Sequence, residues 1–139
     1  MAALGPFIRL FDDGFTIDDV RSAEIDLRIE GADGYVLTGK NQMGQISRDP
    51  LDLAAQARSE HHYPDGYALY LGTLFAPTQD RDVPGGGFTH KVGDRVTIST
   101  ARLGTLETIV TTSRDAPPWT MGIAELFRNL ASRGLIDRI

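Results

Sequence analysis

Between residues 24 and 30 the chain reads Glu-Ile-Asp-Leu-Arg-Ile-Glu, and this strict alternation constrains the fold more than any other feature. Successive side chains leave a strand on opposite faces, so Ile25, Leu27 and Ile29 point one way while Glu24, Asp26, Arg28 and Glu30 point the other. Residues 23–30 therefore predict a strand with one face in a core and one in water. Gly31-Ala32-Asp33-Gly34 supplies a turn, and residues 35–38 read as the returning strand of a hairpin.

The rest of the chain is mostly strand-like. Residues 6–11 read as a short strand ending at the turn Asp12-Asp13-Gly14. Asp49-Pro50 is a helix start, with Asp as cap and Pro at the first helical position, and the helix runs to about residue 59. Leu51, Ala54 and Ala55, with Arg58 as a further candidate, form its inner face. Tyr67-Ala68-Leu69-Tyr70-Leu71-Gly72-Thr73 is apolar throughout, the pattern of a central strand. Residues 74–90 form a long loop rich in Pro, Gly and Asp, a type that is often functional. Residues 94–100 and 105–112 predict two further strands joined through Leu103-Gly104. Residues 121–132 carry Ile123, Leu126, Phe127 and Leu130 at helical spacing, with Gly134 placed to cap the end. The order lacks regular βαβ alternation. It predicts one α+β, β-rich domain over residues 1–139, a mixed sheet or roll with two helices.

Composition narrows the partners. The chain has 139 residues, a net charge of −5 and no cysteine. Disulfides, thiolate zinc sites and cysteine nucleophiles are excluded. No Lys/Arg cluster offers a stripe for phosphates, so no nucleic acid is expected. No apolar run approaches the ~20 residues of a membrane span, and no signal peptide is evident, so a cytoplasmic protein is expected. Apolar residues begin at once in Leu4-Gly5-Pro6-Phe7-Ile8, as in a chain that starts partway through a fold.

Three segments, in order, carry a family resemblance. They are Ala3-Leu4-Gly5-Pro6-Phe7-Ile8; the run 67–73 ending in Gly72-Thr73; and Lys91-Val92-Gly93-Asp94-Arg95-Val96-Thr97-Ile98 followed by Leu103-Gly104-Thr105-Leu106. Together they resemble the C-terminal part of the fumarylacetoacetate hydrolase catalytic domain. The resemblance implies a β-roll, a homodimer and chemistry on a 2-keto acid, acylpyruvate or sugar-acid substrate, by C–C hydrolysis, lyase or dehydratase reaction. It also implies a Mg²⁺, Mn²⁺ or Ca²⁺ held by carboxylates, since hard cations take oxygen ligands and stabilise a developing enolate. Residues 46–51 and the loop Thr78-Gln79-Asp80-Arg81-Asp82 resemble a bacterial branch associated with sugar-acid catabolism.

The family's metal ligands, a Glu-x-Glu pair and two aspartates, precede its Leu-Gly-Pro run, as do its general-base histidine and substrate lysine. Here the glutamates are Glu24, Glu30, Glu60, Glu107 and Glu125, and no two are separated by a single residue. Neither catalytic residues nor metal ligands carry over, and the metal-binding part is expected to be absent from this chain, leaving it inactive alone. Gly72 and Thr73 do carry over, as the place where backbone and hydroxyl meet a substrate carboxylate or keto oxygen, although Leu74-Phe75-Ala76-Pro77 replaces the family's Pro-Ser-Gly. Where hydrolases place a water-orienting glutamate, this chain has Thr97, which weakens the case for hydrolysis. Asp80 and Asp82, in the loop that follows, are the acids best placed for the mouth of the site.

Other clusters have simpler readings. Adjacent His61-His62 suit a helix end, His90 a structural role, and Asp12-Asp13 and Asp18-Asp19 turns and caps. Gly85-Gly86-Gly87 lacks the helix and Lys-Ser/Thr of a phosphate loop. Trp119 reads as a packing anchor. The competing hypothesis is a stand-alone, non-catalytic β-roll module for binding or oligomerisation.

Overall fold

A computed structural model describes residues 4–5, 7–73 and 75–136. Its frame is a four-stranded antiparallel sheet in the order β2-β1-β3-β4. Strand β1 (Glu24–Glu30) and β2 (Val36–Gln42) form the expected hairpin; β3 (Arg95–Thr100) and β4 (Gly104–Ile109) form a second. Strand β3 returns to pair with the free edge of β1. The three helices are α1 (Ile17–Arg21), α2 (Pro50–Ala57) and α3 (Ile123–Ser132), with a 3₁₀ turn at Met43–Gln45. The architecture is thus α+β with an open sheet.

The register settles the faces. Leu27 lies opposite Gly39 and Ile98, Ile29 opposite Leu37 and Val96, and Ile98 opposite Leu106, so these side chains share one apolar face. Asp26, Arg28 and Glu30 share the other face with Thr38, Lys40, Thr97, Ser99 and Glu107. Ion pairs tie that polar face together: Arg28 to Glu30 and Lys40 to Glu24 at 2.8 Å each, and Arg95 to Glu107 across β3 and β4. The alternation of residues 24–30 dictates this division.

Helix boundaries follow local chemistry. Asp49 accepts from the Leu51 amide at 2.9 Å and Pro50 opens α2. Asp19 accepts from the Thr16 amide at 2.7 Å and so fixes the start of α1, a five-residue helix that adds to the two expected ones. Asp12 accepts from the Gly14 amide at 2.8 Å and pairs with Arg9. Asp12 and Asp19 thus serve a turn and a cap, while Asp18 pairs with Arg21 at 2.8 Å. After α3, the Leu135 amide bonds to the Leu130 carbonyl and Gly134 to Ala131, a Schellman closure.

Four sequence-based expectations differ from the structure. The sheet is antiparallel throughout the described residues, not mixed. Residues 7–11 make no strand; Phe7, Ile8 and Leu10 are exposed, and only the bridge Asp12–Phe15 closes the turn. Residues 67–73 also make no ladder, and Tyr67, Leu69 and Tyr70 are exposed. The outer edges of β2 and β4 remain open, so apolar composition alone does not bring a segment into a ladder. Trp119 is 83% exposed rather than buried as a packing anchor.

The core is small. Among the described residues only Phe15, Ile29, Leu37 and Met43 are buried apolar side chains. Phe15 stacks on Phe11 at 5.9 Å, with the Arg9 and Arg102 guanidiniums over its ring. Among the described residues no helix is long and apolar enough to cross a membrane.

Candidate functional site

Two constructions meet around the long connection between β2 and β3. The first lies on the apolar face of the sheet. Phe75 packs over Gly39 so closely that a Cβ there would stand 2.6 Å from its ring. Behind Phe75 a cavity of about 210 Å³ is lined by Ile25, Leu27, Asn41, Met43, Gly72 and Thr73, among others. Gly72 has φ +92°, a left-handed conformation that glycine adopts without a steric cost. This bend ends the apolar run 67–73 and brings Gly72 and Thr73 to the cavity. The lining is apolar except for Thr73 and Asn41, whose Oδ1 accepts from the Gln42 amide at 2.8 Å. Such a pocket, with few polar groups in an apolar wall, suits a small ligand with one polar end.

The second construction is a buried ionic clasp. The side chains of Arg81 and Asp94 are only 2% and 1% exposed, and they pair through two bonds of 2.5 and 2.8 Å. The Asp94 carboxylate also accepts from the Lys91 amide at 2.8 Å, and His90 Nδ1 lies 3.6 Å away. Arg81 donates to the Thr89 carbonyl, reaches Asp33 at 3.3 Å and stacks over the Tyr35 ring at 4.7 Å. Lys91 bridges Asp33 at 3.0 Å and Asp82 at 2.5 Å. The clasp joins the β1–β2 turn, the 78–91 loop and the start of β3.

These contacts set the titration of the acids. Arg81, then the Lys91 amide, hold Asp94 well below the usual carboxylate range against the opposing effect of burial. Lys91, the Tyr35 amide and Arg81 bring Asp33 from 3.8 to about 2. Both folded-state values are depressed, so the stability these acids contribute is complete above pH 3.8 and is lost as pH falls through their folded values. The chain is therefore expected to keep its circular dichroism at pH 5 and lose it cooperatively between about pH 4 and 2. Retention of the full signal below pH 2 would show that the clasp does not hold the fold together.

The residues expected to form a site divide between these constructions. Gly72 and Thr73 line the apolar cavity; Asp80 and Asp82 do not. Asp80 accepts from the Gly85 and Gly87 amides at 2.6 and 2.7 Å, which lowers its pKa, so the glycine-rich loop cradles the chain's own carboxylate. Asp82 is held by Lys91. Thr97 lies on the polar face, across the sheet from Gly72 and Thr73, beside an open cleft of about 540 Å³ with Asp26, Arg28 and Lys40. It cannot act on a ligand held at Thr73 in the same chain. His61 and His62 follow α2 and are exposed, and His90 packs edge-on to Phe88.

Among the described residues no three His, Cys, Asp or Glu side chains gather where a metal ion could be held. Asp80 and Asp82, in the loop that follows Thr73, are already engaged by amides and Lys91. These residues do not fit a divalent cation, and no chemical step is routed through one. Missing from the sequence-based reading are Arg81, Asp33 and Tyr35; a lone arginine between the acids Asp80 and Asp82 was the available signal.

Fold and site together define an open α+β sheet with a ligand-sized cavity on its apolar face. No family profile, curated protein or solved structure matches the chain.

Proposed function

We propose that this chain forms one wall of the substrate site of a fumarylacetoacetate-hydrolase-type enzyme acting in the cytoplasm on a 2-keto acid, acylpyruvate or sugar acid. The metal-binding wall, with its Mg²⁺, Mn²⁺ or Ca²⁺, comes from other residues. The supporting observation is the position of Gly72-Thr73: the pair lies at a cavity over the apolar sheet face, where the Thr73 hydroxyl and Asn41 are the polar side chains in an apolar lining. A 2-keto acid presents a carboxylate and keto oxygen at one end and a carbon chain at the other, which matches that distribution. The ordered likeness of the three segments supplies the family.

A self-sufficient binding module is the competing reading. It would be expected to cover its apolar side chains, whereas Ile98, Leu103, Tyr70 and Phe7 are all exposed.

Pyruvate titrated into the ¹⁵N-labelled chain provides the test. Amide shifts are expected at Gly72, Thr73 and Asn41, weakened by Thr73→Val, with no turnover of acylpyruvates when Mg²⁺ or Mn²⁺ is added. The absence of shifts at Gly72 and Thr73 would overturn the substrate assignment. Turnover by the chain alone would overturn its role as a single wall.

A further inference from the structure

The cavity behind Phe75 is uncharged: no lysine, arginine, aspartate or glutamate is among its lining residues. A carboxylate drawn in among them would lose its water without gaining a partner. An acid end therefore stays in solvent, and the carbon chain is the part of a ligand that enters. Burial follows the same division. Gly72 and Thr73 are exposed, Leu27, Leu71 and Phe75 are half-buried, and Met43 is 8% exposed. The glycine-threonine pair thus marks the mouth and Met43 the floor.

The sheet register places the walls. Leu27 lies between Gly39 and Ile98, and Ile25 lies opposite Asn41, one step along the same face. Phe75 closes the β2 side, resting on Gly39 where no Cβ intervenes. Ile25 and Ile98 close the β3 side, since both also line the groove toward β4. The space between is about 210 Å³. At the roughly 30 Å³ that one water molecule takes in the liquid, it holds about seven non-hydrogen atoms, which is a keto group and about five further carbons.

Hydroxyl-rich chains do not suit this lining. Thr73 and Asn41 are its polar side chains, and Asn41 Oδ1 already accepts from the Gln42 amide. A polyhydroxylated tail would leave several hydroxyls buried without partners. Among the substrates named above, a sugar acid is the poorest fit and an aliphatic chain the best.

We propose that the cavity takes the chain of an aliphatic 2-keto acid and that Phe75 is the specificity-determining residue, limiting the chain to about five carbons beyond the keto group. The acid end rests on the 2-keto acid reading; the chain and its limit follow from the lining alone. Gly39 is the positioning partner, because a side chain there would displace the ring that forms the wall.

Two matched ligand series on the full chain provide the test: linear 2-keto acids from pyruvate to 2-oxodecanoate, and methyl ketones of the same chain lengths. Binding is followed by amide shifts and by the Met43 methyl signal. In both series affinity is expected to rise about four-fold per added methylene, the transfer free energy of one buried CH₂, and to level off near five carbons beyond the keto group. Phe75→Ala is expected to move that plateau out by about two carbons, and Phe75→Leu, which keeps an apolar side chain over Gly39, by about one. Affinity independent of chain length would overturn the proposal. So would a plateau that both variants leave in place, or a 2-keto-3-deoxy sugar acid that binds more tightly than the aliphatic acid of equal length. The two series separate the failures. Methyl ketones that reach the plateau while the acids bind nowhere would remove the 2-keto acid reading and leave the chain limit standing. Acids that shift Gly72 and Thr73 without any dependence on length would do the reverse.

Discussion

Replacement of Asp94 by alanine is expected to unfold the chain. The substitution leaves Arg81, 2% exposed, without its bidentate partner. Breaking a buried ion pair by removing one member costs about 3–5 kcal/mol, because the remaining charge stays desolvated. Few groups can take over: Arg81 Nε already has no acceptor among the described residues, and Asp33 lies at 3.3 Å from Nη2 and is shared with Lys91. The Lys91 amide would lose its acceptor as well. Small domains are stable by only about 5–15 kcal/mol, and the few buried apolar residues here place this chain near the lower end. Urea unfolding followed by circular dichroism should show Asp94→Ala without a native baseline at neutral pH. The double variant Arg81→Met, Asp94→Leu removes both charges together and is expected to recover most of the loss, since apolar replacement of a buried pair is often neutral. A native-like Asp94→Ala would mean that Arg81 reaches water on its own.

The clasp also shows where sequence reasoning ends. Arg81 and Asp94 are 13 residues apart, Arg81 and Asp33 48 apart, so no periodicity or motif connects them. Only the antiparallel pairing of β1 with β3, which brings Glu30 opposite Arg95, sets the β1–β2 turn beside the start of β3. By contrast, β1, the Asp49-Pro50 start of α2 and the Schellman end of α3 follow from chemistry within a few residues, and they were legible. The run 67–73 marks the boundary between the two cases. Its apolar residues predicted a central strand, whereas residues 67–70 are exposed and only Leu71, Gly72 and Thr73 line the cavity on the apolar face. Pairing, however, is a property of two segments, and the run joins no ladder although the outer edges of β2 and β4 are open. Asp80 and Asp82 were read as acids for the mouth of the site; the structure engages them with Gly85, Gly87 and Lys91.

The second large effect is expected at Gly39. A Cβ at this position would stand 2.6 Å from the Phe75 ring, well inside van der Waals contact. Gly39 lies in β2, opposite Leu27, on the apolar face, so the strand cannot turn its side chain away without shifting register. Gly39→Val must therefore displace Phe75, at an overpacking cost of roughly 1–3 kcal/mol. Phe75 and the Gly72-Thr73 bend line the same cavity, so the variant should also lose the pyruvate-induced shifts at Gly72 and Thr73. Phe75→Ala alone is expected to keep the fold while enlarging the cavity, and to be destabilising on its own. Combined with Gly39→Val it should restore stability toward the parent, because valine then fills space that the ring has vacated. Such compensation appears as a coupling energy in a double-mutant cycle, expected at about 0.5–3 kcal/mol for residues in contact. Additive losses at the two positions would show that Phe75 does not rest on Gly39, and the wall assigned to the substrate site would lose its geometry.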